Sequence, residues 1–146
     1  MAEFVENALV SVPQNGNIPF SDASVPYPFI FGSVLHREGS GLVTLRGVSR
    51  NPWARYALYR VSYSTNAAIP TDGTVEPVSV AISINGEALS TSTAIITPAA
   101  VDEFWHISDS TDVLVPLGCC LEVAVKNIST QEIQFQNSSL TVERIG

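Results

Sequence analysis

The sequence predicts an all-β protein: a single domain folded as an antiparallel sandwich or barrel. Three observations predict it. Apolar and polar residues alternate with period two along most of the chain, Gly, Pro and Asn interrupt these runs at a spacing of roughly 8–12 residues, and helical periodicity is nearly absent. The 146 residues suit one domain, since domains commonly hold roughly 100–150. With 45% hydrophobic and 14% charged residues, the chain is too apolar and too sparsely charged for disorder.

Residues 1–27 read as an N-terminal extended arm or edge strand, because Gln14-Asn15-Gly16-Asn17 and three prolines by Pro26 break any longer run. Residues 28–146 read as the sandwich itself. Strands are expected at 29–35, 42–48 and 54–63, separated by Glu38-Gly39-Ser40-Gly41 and Asn51-Pro52. In the third, aromatics occupy both parities, with Tyr56 and Leu58 on one face and Tyr59, Val61 and Tyr63 on the other. A strand apolar on both faces is covered on both sides, by a second subunit or by a loop folded over that face.

The run from Val78 to Ile84 sets large aliphatics at even positions and small residues at odd ones. Asn85-Gly86 then supplies the positive-φ turn of a hairpin, with Glu87-Ala88-Leu89 as the return. The acidic stretch from Asp102 to Asp112 reads as a solvated loop leading into Val113-Leu114-Val115 and the stop at Pro116. Alternation resumes through Leu121, Val123 and Val125, then Ile133 and Phe135, then Leu140 and Val142. Turns are expected at Asn127-Ile128-Ser129-Thr130 and at Asn137-Ser138-Ser139.

Composition narrows the function. Seven Lys and Arg against fourteen Asp and Glu disfavour a nucleic-acid partner. The N-terminus lacks a basic region followed by an apolar run, and no stretch reaches the roughly 20 apolar residues of a membrane helix; synthesis in a cytosol is expected. Cys119 and Cys120 are neighbours without CxxC spacing and read as small buried side chains on opposite strand faces. His106 among Asp102, Glu103, Asp109 and Asp112 does not converge on one strand face, so no metal site is expected. No GxSxG motif or nucleophile turn is present, so neither catalytic residues nor cofactors are expected and the chain reads as a non-enzyme. Arg37, Arg46, Arg50, Arg55 and Arg60 form either a basic docking patch or a set of partners for acids of the same or a neighbouring subunit. Trp53 and Trp105 are core or interface side chains, or platforms for sugar rings.

The closing run from Asn137 to Ile145 resembles the last strand of the C-terminal domains of collagen-like spore-surface glycoproteins. The hairpin of Val78 to Leu89 is similar to one in the same group. These domains belong to the tumour-necrosis-factor and C1q-like jelly rolls, and the resemblance implies a jelly-roll sandwich that forms homotrimers. No Gly-x-y stalk is present in this sequence. The stretch from His36 to Gly47, Thr97-Pro98-Ala99-Ala100-Val101 and Gly118-Cys119-Cys120 look like small virion-associated proteins of gut Firmicutes phages and prophages.

That resemblance implies a non-enzymatic phage structural protein: a trimeric capsid decoration or head-spike protein on the virion exterior, made in the bacterial host cytoplasm. Its expected partner is the major capsid protein, with no membrane contact. The expected trimer interface is Tyr56, Leu58, Tyr59, Tyr63 and Phe135. Capsid docking is expected through Phe4, Val5, Val10, Val12, Arg37 and Arg50. The alternative is a receptor- or carbohydrate-binding tip of a fibre or spore-surface filament, with Trp53 and Trp105 on the glycan.

Overall fold

The computed structural model describes residues 2–20, 22–23, 34–36, 41–46, 56–116 and 120–145. The expectations for Arg37, Arg50, Trp53 and Cys119 lie outside these residues. The described residues form twelve strands in chain order: β1 (Ala2–Glu6), β2 (Val10–Val12), β3 (Asp22–Ala23), β4 (Val34–His36), β5 (Val43–Arg46), β6 (Tyr56–Ala68), β7 (Val78–Ile84), β8 (Glu87–Ala88), β9 (Ala94–Ile96), β10 (Trp105–Pro116), β11 (Cys120–Asn127) and β12 (Ile133–Arg144). A 3-10 turn, Ser90–Ser92, links β8 to β9.

One sheet runs β10-β6-β12-β1-β3, with β2 also paired to β12; the other runs β4-β5-β11-β7-β8, with β9 paired to β7. All pairings are antiparallel. From β5 onward the chain crosses repeatedly between sheets, and the first strand lies beside the last. This is a two-sheet sandwich in jelly-roll order.

Period-two alternation supplies the core. On β6 the odd positions Ala57, Tyr59, Val61 and Tyr63 are buried, and they meet Val80, Ile82, Val123 and Val125 of the facing sheet in one cluster. The hairpin turns at Asn85-Gly86, both with positive φ (52° and 87°). That is the geometry an Asn-Gly pair permits, and it brings Glu87 opposite Ile84.

Four expectations are corrected. First, the N-terminal segment, read as an arm or an edge strand, is paired into the sandwich as strands, so it is the arm reading that is corrected. β12 would otherwise present an open edge on the side away from β6, and β1 and β2 cover it. Phe4 and Val12 are each only 1% exposed, Val10 packs partly against the same core, and Val5 is half-buried opposite Ser139. Phe4 and Val12, two of the expected docking side chains, are therefore core residues. Beyond β2, Asn15, Gly16 and Ile18 exchange backbone hydrogen bonds with Val125 and Asn127 of β11, carrying the segment over to the second sheet.

Second, Tyr59 (0% exposed), Tyr63 (3%) and Phe135 (0%) are core side chains, not an interface. Their second cover is the opposite sheet. The Tyr59 hydroxyl donates to the Arg46 carbonyl at 2.7 Å, and the Tyr63 hydroxyl lies within reach of the Val80 and Ser92 carbonyls at 3.1 and 3.0 Å. A phenol long enough to cross the sandwich can be buried because backbone acceptors wait at its far end.

Third, the acidic stretch before Val113 is strand from Trp105 on, while Asp102 and Glu103 stay in the loop before it. β10 pairs with β6 along its whole length; Asp112 lies on its solvated face, and half-buried Asp109 lies opposite Tyr63. Asn137-Ser138-Ser139 is likewise no turn but a bulge inside β12, where the register shifts between Gln136 and Ser139 and Asn137 takes φ 54°. Buried Ser138 there hydrogen-bonds buried Thr65 at 2.8 Å. Fourth, Cys120 is exposed rather than buried.

Tyr63 yields a pH prediction. Burial, and secondarily the Asp109 carboxylate, raises its phenol above the ordinary value of 10.0. The unfolded chain ionises near pH 10 while the folded one stays neutral. The contribution is therefore constant below about pH 10 and is lost above it, by at most about 1.4 kcal/mol per pH unit. Tyr63→Phe is expected to cost about 1 kcal/mol at neutral pH and to lack this alkaline component. Urea titrations at neutral and alkaline pH check it; identical alkaline losses in both proteins would refute the assignment.

Candidate functional site

At one end of the sandwich the loops 69–77, 97–104 and 128–132 meet. They are tied together by polar contacts. The Thr71 hydroxyl donates to Asp102 Oδ2 at 2.7 Å, and the Asp102 N–H donates to the Ile69 carbonyl at 2.8 Å. The Gln131 side chain bonds both backbone groups of Thr74, accepting from its N–H at 2.9 Å and donating to its carbonyl at 2.7 Å. Gly73 is needed here, since a Cβ would lie 2.6 Å from Ile69 Cγ2. The depression bordered by Pro70, Asp72, Gly73, Gln131 and Glu132 holds about 150 Å³. Ligand pockets usually start near 300 Å³. Exposed side chains, rather than this hollow, are the better candidate.

Two adjacent aromatics stand at this end. β10 opens with Trp105, opposite Ala67, and its parity is that of buried Ile107, Val113 and Val115. It is the first residue of the strand, overruns the core and is 41% exposed; Phe104 before it is 42% exposed. The indole N–H donates to Glu103 Oε1 at 2.7 Å, which fixes the ring and places a carboxylate at its rim. One step along, His106 pairs with Asn66 and Asn66 with Gln136, a polar row across β10, β6 and β12. His106 Nδ1 and Asn66 Oδ1 are 3.3 Å apart. Among the described residues, these three loops carry Asp72, Glu76, Asp102, Glu103 and Glu132 and no Lys or Arg.

The outward face of the first sheet ends differently at the opposite pole. Leu58 lies opposite Leu114, and Tyr56 opposite Pro116. Tyr56 is 56% and Leu114 57% exposed, and Ile145 joins them through its N–H to the Leu58 carbonyl. Between the poles, Arg60 Nε donates to Asp112 Oδ1 at 3.2 Å, with Glu143 on the other side of Arg60 in the ladder. Both partners are about half exposed, so this pair contributes little to stability. Of the arginines read as a docking patch, Arg60 thus pairs within its own chain.

The sequence-expected residues therefore separate. Among the described ones, Trp105 alone reaches a surface suited to a ligand, Tyr56 and Leu58 reach the opposite pole, and Tyr59, Tyr63, Phe135, Phe4 and Val12 serve the core. The sequence does not mark Glu103 as the partner of Trp105. Reading β10 as a strand would have exposed the His106–Asn66 row, but the Glu103 contact depends on loop geometry that no spacing encodes.

The fold defines the class of the protein: an antiparallel jelly-roll sandwich. No protein-family model matches the chain, and no curated protein matches it. Among solved structures, it is similar to the EclA C-terminal domain, a sugar-binding protein, at 16% identity and a TM-score of 0.39, over 94% of this chain and 79% of that one. A likeness of that degree leaves the ligand to be read from this chain's own surface.

Proposed function

We propose that the chain is a non-catalytic binding domain that holds carbohydrate against Trp105. The observation that carries this reading is Trp105, 41% exposed, with its indole N–H donated to Glu103. Pyranose rings present C–H faces to an aromatic plane and hydroxyls at the rim, so a ring with a carboxylate at its rim suits both parts. A pre-oriented ring also loses little freedom on binding.

In a glycan array followed by titration with the best ligand, Trp105→Ala is expected to weaken binding about ten- to a hundredfold, roughly 1.4–2.8 kcal/mol. Trp105→Phe should lose less, and the melting temperature should hardly change, because the ring stands outside the core. Binding that survives Trp105→Ala, or no glycan binding at all, would overturn the proposal. Of the docking residues expected for capsid decoration, Phe4 and Val12 are in the core.

Self-association is a second reading, favoured by the apolar cluster of Tyr56, Leu58, Leu114, Pro116 and Ile145 and in keeping with the trimers of the jelly rolls that the sequence resembles. The cluster and Trp105 lie at opposite poles, so the two readings are compatible. Light scattering is expected to give about three times the 15.6 kDa chain mass, and Leu114→Arg to return it to one. A monomeric wild type would refute this.

A further inference from the structure

We infer that the ligand of the Trp105 end is an amine-bearing glycan, one whose sugar units carry free amino groups, as in glucosamine oligomers. The inference rests on the carbohydrate reading above and specifies its substrate class. Two features of the site lead to it. An exposed indole face attracts a cation, because the ring quadrupole is negative above and below its plane. Glu103 lies against that same ring: Oε1 accepts the indole N–H at 2.7 Å, and the carboxylate carries a charge that an ammonium would complement. An ammonium over the ring and beside Glu103 satisfies both at once, which a hydroxyl does only for the carboxylate.

The surroundings act in the same direction. The loops 69–77, 97–104 and 128–132 add Asp72, Glu76, Asp102 and Glu132 with no described basic residue, so the local field draws cations and repels uronic or sialic acids. These acids do not form the binding site; they select the charge of what reaches the indole. On the carbohydrate reading that cation is an amino sugar rather than a lysine side chain, and polylysine tests the difference.

The test is calorimetric titration of the full chain with a glucosamine oligomer, its N-acetylated counterpart, a neutral glucan oligomer, polygalacturonate and polylysine, at low and high salt. The glucosamine oligomer is expected to bind tightest and to weaken several-fold at high salt, as surface charges become screened. Glu103→Gln is expected to weaken it about tenfold, towards the N-acetylated oligomer, with that oligomer's own binding little changed. Trp105→Ala should weaken both oligomers. If the acetylated or neutral oligomers bind as tightly and Glu103→Gln changes nothing, this inference falls while the carbohydrate reading stands. Tightest binding of polygalacturonate has the same consequence. Polylysine that binds as tightly, with the same dependence on Trp105, would overturn it in favour of a basic peptide. If no glycan binds, the carbohydrate reading falls and this inference falls with it.

Discussion

Phe4→Ala is expected to destabilise the protein by about 3–5 kcal/mol, a large share of the 5–15 kcal/mol that holds a typical domain together. Phe4 is 1% exposed and sits in the core cluster with Phe20, Phe135 and Leu140. Its strand closes the edge of β12, with Phe4 directly opposite Leu140. Truncation removes the transfer energy of a phenyl ring and leaves a cavity between sheets that cannot collapse without breaking the ladder. Leu9→Ala is the control, since Leu9 is 51% exposed and should change stability by no more than about 0.5 kcal/mol. Urea unfolding gives both values, with the Phe4 variant shifting the midpoint at an unchanged slope. A Phe4→Ala protein as stable as wild type would mean that the first strand is a detachable arm after all. On the structure, removing residues 1–20 should prevent folding rather than merely abolish docking.

The second large effect is expected at Asn127, a fully buried amide at the end of β11. Its Nδ2 donates to the carbonyls of Val12 at 3.0 Å and Gln131 at 3.1 Å, and its Oδ1 accepts the Ser129 N–H at 3.0 Å. One side chain thereby joins the N-terminal segment, the β11–β12 connection and the second sheet. Asn127→Ala would strand two carbonyls and an N–H inside the protein, at an expected cost of about 2–4 kcal/mol. Hydrogen exchange is the more pointed measurement. The Ser129 amide and the amides of β2 should lose protection together, because the same side chain secures both. A stability change within about 0.5 kcal/mol would show that water or a shifted neighbour replaces the amide, and the coupling would then be absent.

How much of this was legible in the sequence depends on the residue. The alternation around Val80 and Ile82 names its own buried face, because a period of two admits only one inward set once the core side is chosen. The Asn85-Gly86 turn is equally local, since its dihedrals are set by the residues that adopt them. Strand β10 was hidden because its outward positions are Ser, Asp and His, a composition shared by loops and solvated strand faces. Only pairing with β6 separates the two. The bulge at Asn137 was hidden for a related reason. A positive-φ Asn serves a turn or a bulge alike, and the buried Thr65–Ser138 contact that selects the bulge spans 73 positions.

The sequence by itself determined the all-β class, the inward faces of the central strands, the tight hairpin and an exposed acidic character, since each depends on side-chain period, turn chemistry or net charge. Tertiary structure alone decided that residues 2–20 complete the sandwich and that Tyr59 and Tyr63 find their hydroxyl partners in the opposite sheet. It also decided that Trp105 overruns the core to meet Glu103 at the surface. These outcomes depend on which strand edges need covering and on where a strand ends relative to the core, and contacts between distant parts of the chain set both.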